Sequence, residues 1–153
     1  MQEESVEDSR SSLDMFLGTF CLILLAPAMI IAWGEYRDII DYFEYGGDMS
    51  DVWRWLLYTI TITSILLVSG LHFLGRLKSD SVRLGSGIFV ILLSLLNLLS
   101  RLSEFDTEMK RYGIEEFWGV FIYWPSTHER LELVILGIII GFFIIRTRRN
   151  EGM

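Results

Sequence analysis

The sequence contains very few of the residues that form covalent cross-links, metal centres or nucleophilic catalytic sites. Its 153 residues include one cysteine, two histidines and two prolines. The single cysteine, Cys21, excludes an intrachain disulfide. Triads for nucleophilic catalysis, a glycine-rich phosphate loop and a CxxC motif are all missing from the sequence. No catalytic residue and no cofactor is therefore predicted, and the net charge of −7 argues against a nucleic-acid partner.

Charged residues are almost absent from four long apolar stretches, and nearly all acids and bases lie between them. Residues 15–33, 56–74 and 84–102 are each 19 residues long. A helix of that length measures roughly 28 Å, which matches a hydrocarbon core of about 30 Å. The fourth stretch, 133–145, reaches spanning length if its helix begins near residue 127. The pattern predicts a multi-pass membrane protein.

The expected fold class is all-α: a polytopic membrane protein with a four-transmembrane-helix bundle and short amphipathic helices in the two outer loops. The TITIT run at 59–63 alternates like a strand, but a lone strand in lipid would leave its backbone groups unpaired, so helix is predicted. The N-terminus MQEESVEDSR is acidic, so no cleavable signal peptide is expected. We expect one domain over 1–153, with spans at 13–34, 54–75, 84–102 and 127–146 and an outer cap of 35–53 and 103–126.

Basic residues in the short connections predict the orientation of the chain. The connection RLKSDSVR and the C-terminal tail lie on the same side of the membrane and carry most of these residues: Arg76, Lys78, Arg83, Arg146, Arg148 and Arg149. By the positive-inside rule, both termini are predicted to be cytoplasmic.

The outer connections are rich in aromatic and acidic residues. Residues 35–51 and 103–130 together hold twelve acids and four Lys or Arg, which gives a net charge of −8. All tryptophans and tyrosines lie at or beyond the outer ends of the spans: Trp33, Trp53, Trp55, Trp118, Trp124, Tyr36, Tyr42, Tyr45, Tyr58, Tyr112 and Tyr123. We expect the two outer connections to pack together as an aromatic cap.

Helical periodicity appears within these outer connections. Residues 36–43 place apolar side chains at i, i+3, i+4 and i+7, and residues 114–122 repeat that spacing. The second segment is too short to span a bilayer and ends at Pro125. It is predicted to lie in the interface, although a re-entrant loop and a partner-docking surface are alternatives. The aromatic cap residues of this segment are Phe117, Trp118, Phe121 and Trp124.

A His-Glu pair follows directly. His128 and Glu132 are four residues apart, so they share a helix face and could hold a divalent metal. The alternative is structural: Ser126 and Glu129 form a capping box at the start of the fourth span. We favour the capping box.

Polar and small residues inside the spans indicate how the helices pack. Polar groups in spans usually bond across helices, which is the interpretation we favour, although they could line a polar path. The small residues allow close approach to a helix of this chain or of another. The polar intramembrane residues are His72, Ser94, Asn97 and Arg101, and the small pairs are Gly137 with Gly141 and Ala28 with Ala32.

Three functional hypotheses follow. The first is a non-catalytic accessory, assembly or scaffold subunit that binds other membrane protein subunits, or copies of itself, through the outer cap or its helices. The second is a small oligomeric transporter or channel whose acidic cap gathers cations. The third is a membrane-surface metal enzyme that uses His128 and Glu132. In all three, the lipid bilayer is a partner.

Overall fold

The computed structural model describes residues 11–113 and 131–147, and all regular secondary structure in these ranges is helical. The TITIT run lies within a helix, which confirms that prediction. Among the described residues, three segments are long and apolar enough to cross a membrane: Ser12–Phe43, Met49–Phe73 and Asp80–Ser103. The helices are α1 Ser12–Ile23, α2 Leu25–Phe43, α3 Met49–Phe73, α4 Asp80–Tyr112 and α5 Leu131–Arg146.

The first long segment is interrupted between α1 and α2, where the sequence predicts a kink. Pro27 lacks a backbone N–H, and its ring clashes with the carbonyl four residues earlier, that of Ile23. Helix α1 ends at Ile23, and α2 begins after Leu24. The Leu24 amide still donates to the Phe20 carbonyl at 3.0 Å. The two helices therefore follow each other with only a local break.

Two helices continue past the ends predicted for their spans. Helix α2 runs on to Phe43, and α4 has 33 residues, which corresponds to about 50 Å. Glycines end both: Gly46 has a φ of 96° and Gly113 a φ of 64°. The helical segment 36–43 is thus a continuation of the first span rather than a separate loop helix, because no proline intervenes and Gly34 alone does not end the helix.

Helix α3 is the centre of the described structure, because it packs against each of the other four helices. Helices α1 and α2 cover one side of α3, and the α4–α5 pair, which makes the most extensive contact, covers the other. Within the described residues, helices α2 and α4 do not pack extensively against each other, because α3 lies between them. Residues 114–130, which make up most of the second outer connection, lie outside the described ranges, so the packing of the two outer connections as an aromatic cap stays a prediction.

Side-chain caps fix the beginnings of three helices. The Ser11 hydroxyl accepts from the Asp14 amide at 3.1 Å, and the Ser79 hydroxyl accepts from the Val82 amide at 3.2 Å. The Asp48 carboxylate accepts from the Ser50 amide at 3.3 Å and from the Ser50 hydroxyl at 2.9 Å. These hydrogen bonds lower the pKa of Asp48.

Candidate functional site

A polar cross-link joins α3 and α4. The Asn97 amide donates to the Thr61 hydroxyl, to the Leu57 carbonyl at 3.3 Å and to the Leu93 carbonyl of its own helix at 3.2 Å. Thr61 is fully buried, and its hydroxyl donates to the Leu57 carbonyl at 2.7 Å. The Asn97 amide group is thus hydrogen-bonded within the chain, as expected of polar groups that join helices in lipid.

Ser94 faces a glycine of α5. It is fully buried, and its hydroxyl donates to the Val90 carbonyl at 2.9 Å. A methyl group added at Gly137 would collide with the Ser94 hydroxyl and would lie 2.9 Å from the Ile65 side chain. Gly137 is therefore a contact point at which α3, α4 and α5 meet.

Gly141, the second glycine of the GxxxG pair, contacts α4 one turn further along. A methyl group at Gly141 would lie 2.8 Å from the Gly87 carbonyl, and one at Gly87 would lie 2.8 Å from the Gly141 carbonyl. The two backbones touch at this crossing. The GxxxG pair thus has its neighbour within this chain, which the sequence left open.

The four polar intramembrane residues do not form one cluster. Arg101 lies one turn beyond Asn97 towards the C-terminal end of α4 and is half-buried. His72 lies near the C-terminal end of α3, where its ring stands edge-on to Phe143 at 5.7 Å. Between Ser94 and that end, the fully buried Val90 lies on α4. Asn97 is hydrogen-bonded to Thr61, and Ser94 packs against Gly137. His72 contacts the ring of Phe143 rather than another of these polar residues.

The alanine pair of α2 faces α3. Ala32 is buried, and its carbonyl accepts a hydrogen bond of 2.9 Å from the Trp55 indole. A second close approach joins α1 to α3 near the C-terminal end of α3. A methyl group at Gly18 would lie 3.1 Å from the Gly70 carbonyl, and one at Gly70 the same distance from the Gly18 carbonyl. Neither glycine has a second small residue four positions away, so the small-xxx-small pattern does not identify this approach.

A tie between α4 and α5 also escaped sequence reasoning. The Arg83 guanidinium donates to the Thr147 carbonyl at 3.1 Å and pairs with Asp80. This contact places a cation at the C-terminal end of α5, where the helix dipole is negative. In the sequence, Arg83 contributes only to the predicted orientation of the chain. Its partner Thr147 lies 64 residues away, so local spacing does not reveal the contact.

The metal and cap predictions fall largely outside the described ranges. His128, Phe117, Trp118, Phe121 and Trp124 all lie in 114–130. Glu132 is exposed in the first turn of α5. Within residues 11–113 and 131–147, no group of three or more metal-ligating side chains comes together. The His128–Glu132 pair remains a prediction.

Comparison of the chain with protein-family models, with curated proteins and with solved structures found no match.

Proposed function

We propose that the chain is a non-catalytic integral membrane protein that acts as an accessory, assembly or scaffold subunit and binds protein partners on its outer side. The observation that carries this proposal is the helical extension of α2 and α4 past their apolar spans. Both extensions keep a continuous helical backbone beyond the apolar spans, and the α2 extension has described side chains that can form a surface outside the bilayer.

The extension of α2 has two chemically different faces. Tyr36 and Phe43 are half-buried, whereas Asp38, Asp41 and Glu44 are exposed. The separation supports an amphipathic segment whose acidic side remains available to a partner. A partner surface with a complementary basic patch would be steered towards this side by charge.

A four-span topology with both termini cytoplasmic completes the proposal. Helix α5 carries its only charged residues, Glu132 and Arg146, at its two ends, and it packs along α4. Its 16 described residues cover about 24 Å, so residues 127–130 would complete a fourth span. The basic inner connection between α3 and α4 supports the orientation.

The interior packing favours an accessory role over conduction by a single copy. Asn97 and Ser94 are occupied in contacts between helices, and a methyl group does not fit at Gly137. A conducting path needs room for an ion or water beside its polar groups. The tight seam between α3, α4 and α5 therefore supports a structural use of these residues.

The proposal is tested by purification in mild detergent, with a variant in which Asp38, Asp41 and Glu44 become Asn, Asn and Gln. We expect the natural protein to elute with a stoichiometric protein partner and the variant to lose it while staying folded. The matched control, Phe142→Ala, changes an exposed residue of α5 away from the acidic face. A monodisperse monomer with no partner, or a partner kept by the triple variant, would contradict docking on this face.

A further inference from the structure

Helices α4 and α5 leave a cavity between them where α4 begins and α5 ends. The two helices touch backbone to backbone at Gly87 and Gly141. Beyond that contact, towards the beginning of α4, a space of about 370 Å³ remains. It is lined by Asp80, Ser81, Arg83, Leu84 and Ile145.

The wall of this cavity contains a guanidinium group that is held in place by both helices. Arg83 donates to the carbonyl of Thr147, directly after α5, at 3.1 Å and pairs with Asp80 of its own helix. Its side chain is only 11 % exposed. A guanidinium has five N–H donors, and these two contacts use two of them. The other three have no acceptor in the described part of the chain, so they are available to a ligand in the cavity.

The cavity lies where an apolar helix surface meets polar residues. Arg83 is the fourth residue of the segment Asp80–Ser103, which is long and apolar enough to cross a membrane. Leu84 follows it in the cavity wall and is 49 % exposed, so the wall continues into the apolar surface of α4. In a bilayer, this level is the boundary between the head groups and the hydrocarbon core. A phospholipid places its phosphate group at that boundary.

The charges at this end of the bundle favour an anion. Four cations lie here: Arg76, Lys78, Arg83 and Arg146. Two acids oppose them, Asp80 and Asp14. The side chain of Asp80 is 86 % exposed, so water screens its charge, and its pairing with Arg83 leaves the other N–H groups of that residue free. Basic pockets between membrane helices bind the head groups of anionic lipids.

We propose that this cavity binds the phosphate group of an anionic phospholipid. The free N–H groups of Arg83 donate to the phosphate oxygens, and the Ser81 hydroxyl donates one further hydrogen bond. Leu84 and Ile145 contact the glycerol and the first carbons of the acyl chains. Free inorganic phosphate offers the same oxygens without the apolar part. The proposal depends on α4 crossing the bilayer and does not depend on a protein partner.

The test measures lipid binding to the purified full chain by native mass spectrometry. Dioleoyl phosphatidylglycerol and dioleoyl phosphatidylcholine are titrated in parallel, because they share acyl chains and a phosphate but only the first carries a net charge. We expect phosphatidylglycerol to bind about fivefold more tightly, which is the contribution of one arginine at a membrane surface. Inorganic phosphate is then added as a competitor. Displacement of the lipid shows that free phosphate also occupies the cavity, and retention shows that the apolar contacts are needed for binding.

Two variants alter the cavity in different ways. Arg83→Gln removes the cation and should reduce the preference for phosphatidylglycerol to near unity. Leu84→Trp fills the cavity without changing the charge and should also remove the preference, which keeps the test decisive if Arg83→Gln does not fold. The matched controls are Arg76→Gln, an exposed cation that does not line the cavity, and Val82→Trp, an exposed residue of the same turn. Both controls should keep at least half of the preference.

Each outcome bears on the proposal. Loss of the preference in the folded cavity variants, with both controls largely unchanged, supports a phosphate site, whether or not free phosphate competes. Equal binding of the two lipids by the natural protein would overturn it, as would a preference that survives Leu84→Trp. An equal loss in Arg76→Gln would also overturn it, because the attraction would then come from diffuse surface charge. Failure of partner binding on the acidic face of α2 would leave this result unaffected, because none of these variants lies on α2.

Discussion

Single glycines determine how closely the helices of this protein approach one another. Gly137 contacts Ser94 and Ile65, whereas Gly85, also on a helix, has nothing within 4 Å of the position that a methyl group would occupy. Glycine lowers helix stability by about 1 kcal/mol relative to alanine, so the two positions should respond to substitution in opposite directions.

Gly137→Ala should therefore destabilise the protein by about 1–3 kcal/mol, because the added methyl group forces Ser94 out of position. Gly85→Ala is the control and should be neutral or slightly stabilising. Thermal unfolding in detergent, followed by tryptophan fluorescence, measures both. Adding Ser94→Ala to Gly137→Ala should restore part of the loss, and an unchanged melting temperature for Gly137→Ala alone would contradict the close contact.

The Asn97–Thr61 hydrogen bond is a second contact whose contribution can be measured. Asn97→Leu and Thr61→Val each remove one partner, and hydrogen bonds between membrane helices contribute about 0.6 kcal/mol on average. We expect a double-mutant cycle to give a coupling free energy of that size. Pairing Asn97→Leu with Thr63→Val, whose hydroxyl bonds only within its own helix, should give additive effects. Additivity in the Thr61 cycle would count against the cross-link.

At the scale of the helices, side-chain caps mark the beginnings of α1, α3 and α4. Ser11, Asp48 and Ser79 each accept a hydrogen bond from an amide in the first turn. Of the three, only Asp48 titrates. Its pKa is lowered in the folded protein, so the unfolded chain binds a proton more readily. The stabilisation of the first turn of α3 is therefore complete above the unfolded pKa and is lost as the pH falls through the folded value.

Asp48 should thus make the beginning of α3 sensitive to acid below about pH 4, the ordinary range of an aspartate. Hydrogen exchange of the Ser50 amide is expected to accelerate as the pH falls through the folded pKa, after correction for the intrinsic rate. Asp48→Asn keeps a capping side chain but cannot titrate, so its corrected rate should stay flat. Asp41→Asn is the control, and a flat profile for the natural protein would refute the role of this cap.

The helix boundaries show which parts of the helices the local sequence predicts and which it does not. Hydropathy located the parts of α1–α2, α3 and α4 that are long and apolar enough to cross a membrane, because an apolar run in lipid has to form helix. The periodicity of residues 36–43 predicts a separate helix in the first outer connection, whereas these residues are the end of α2. Hydropathy marks only the end of the apolar span, and it does not show whether the helix continues into the polar residues that follow.

For the whole molecule, α3 holds two pairs of helices together, with α1 and α2 on one side and α4 and α5 on the other. The connections before and after α3 should consequently emerge on opposite faces of the membrane. The basic residues after α3 predict that this second face is cytoplasmic.

Cysteine labelling tests this topology in a Cys21→Ala background. Tyr45→Cys and Lys78→Cys introduce thiols at exposed positions on either side of α3. A membrane-impermeant maleimide should label position 45 in intact cells and position 78 only after permeabilisation. Labelling of both positions from the same side would show that α3 does not cross the membrane, and the reverse pattern would show that the orientation is inverted.

The sequence by itself determined that this chain is helical, that its apolar segments suit a bilayer and that acids and aromatics gather in residues 35–53 and 103–130. These properties depend on composition and period along one chain. The tertiary structure alone decided which helix meets Gly137 and Gly141, that Asn97 bonds to Thr61, and that Arg83 bonds to the Thr147 carbonyl. Such contacts depend on the rotation and relative shift of neighbouring helices, which no periodicity within a single helix specifies.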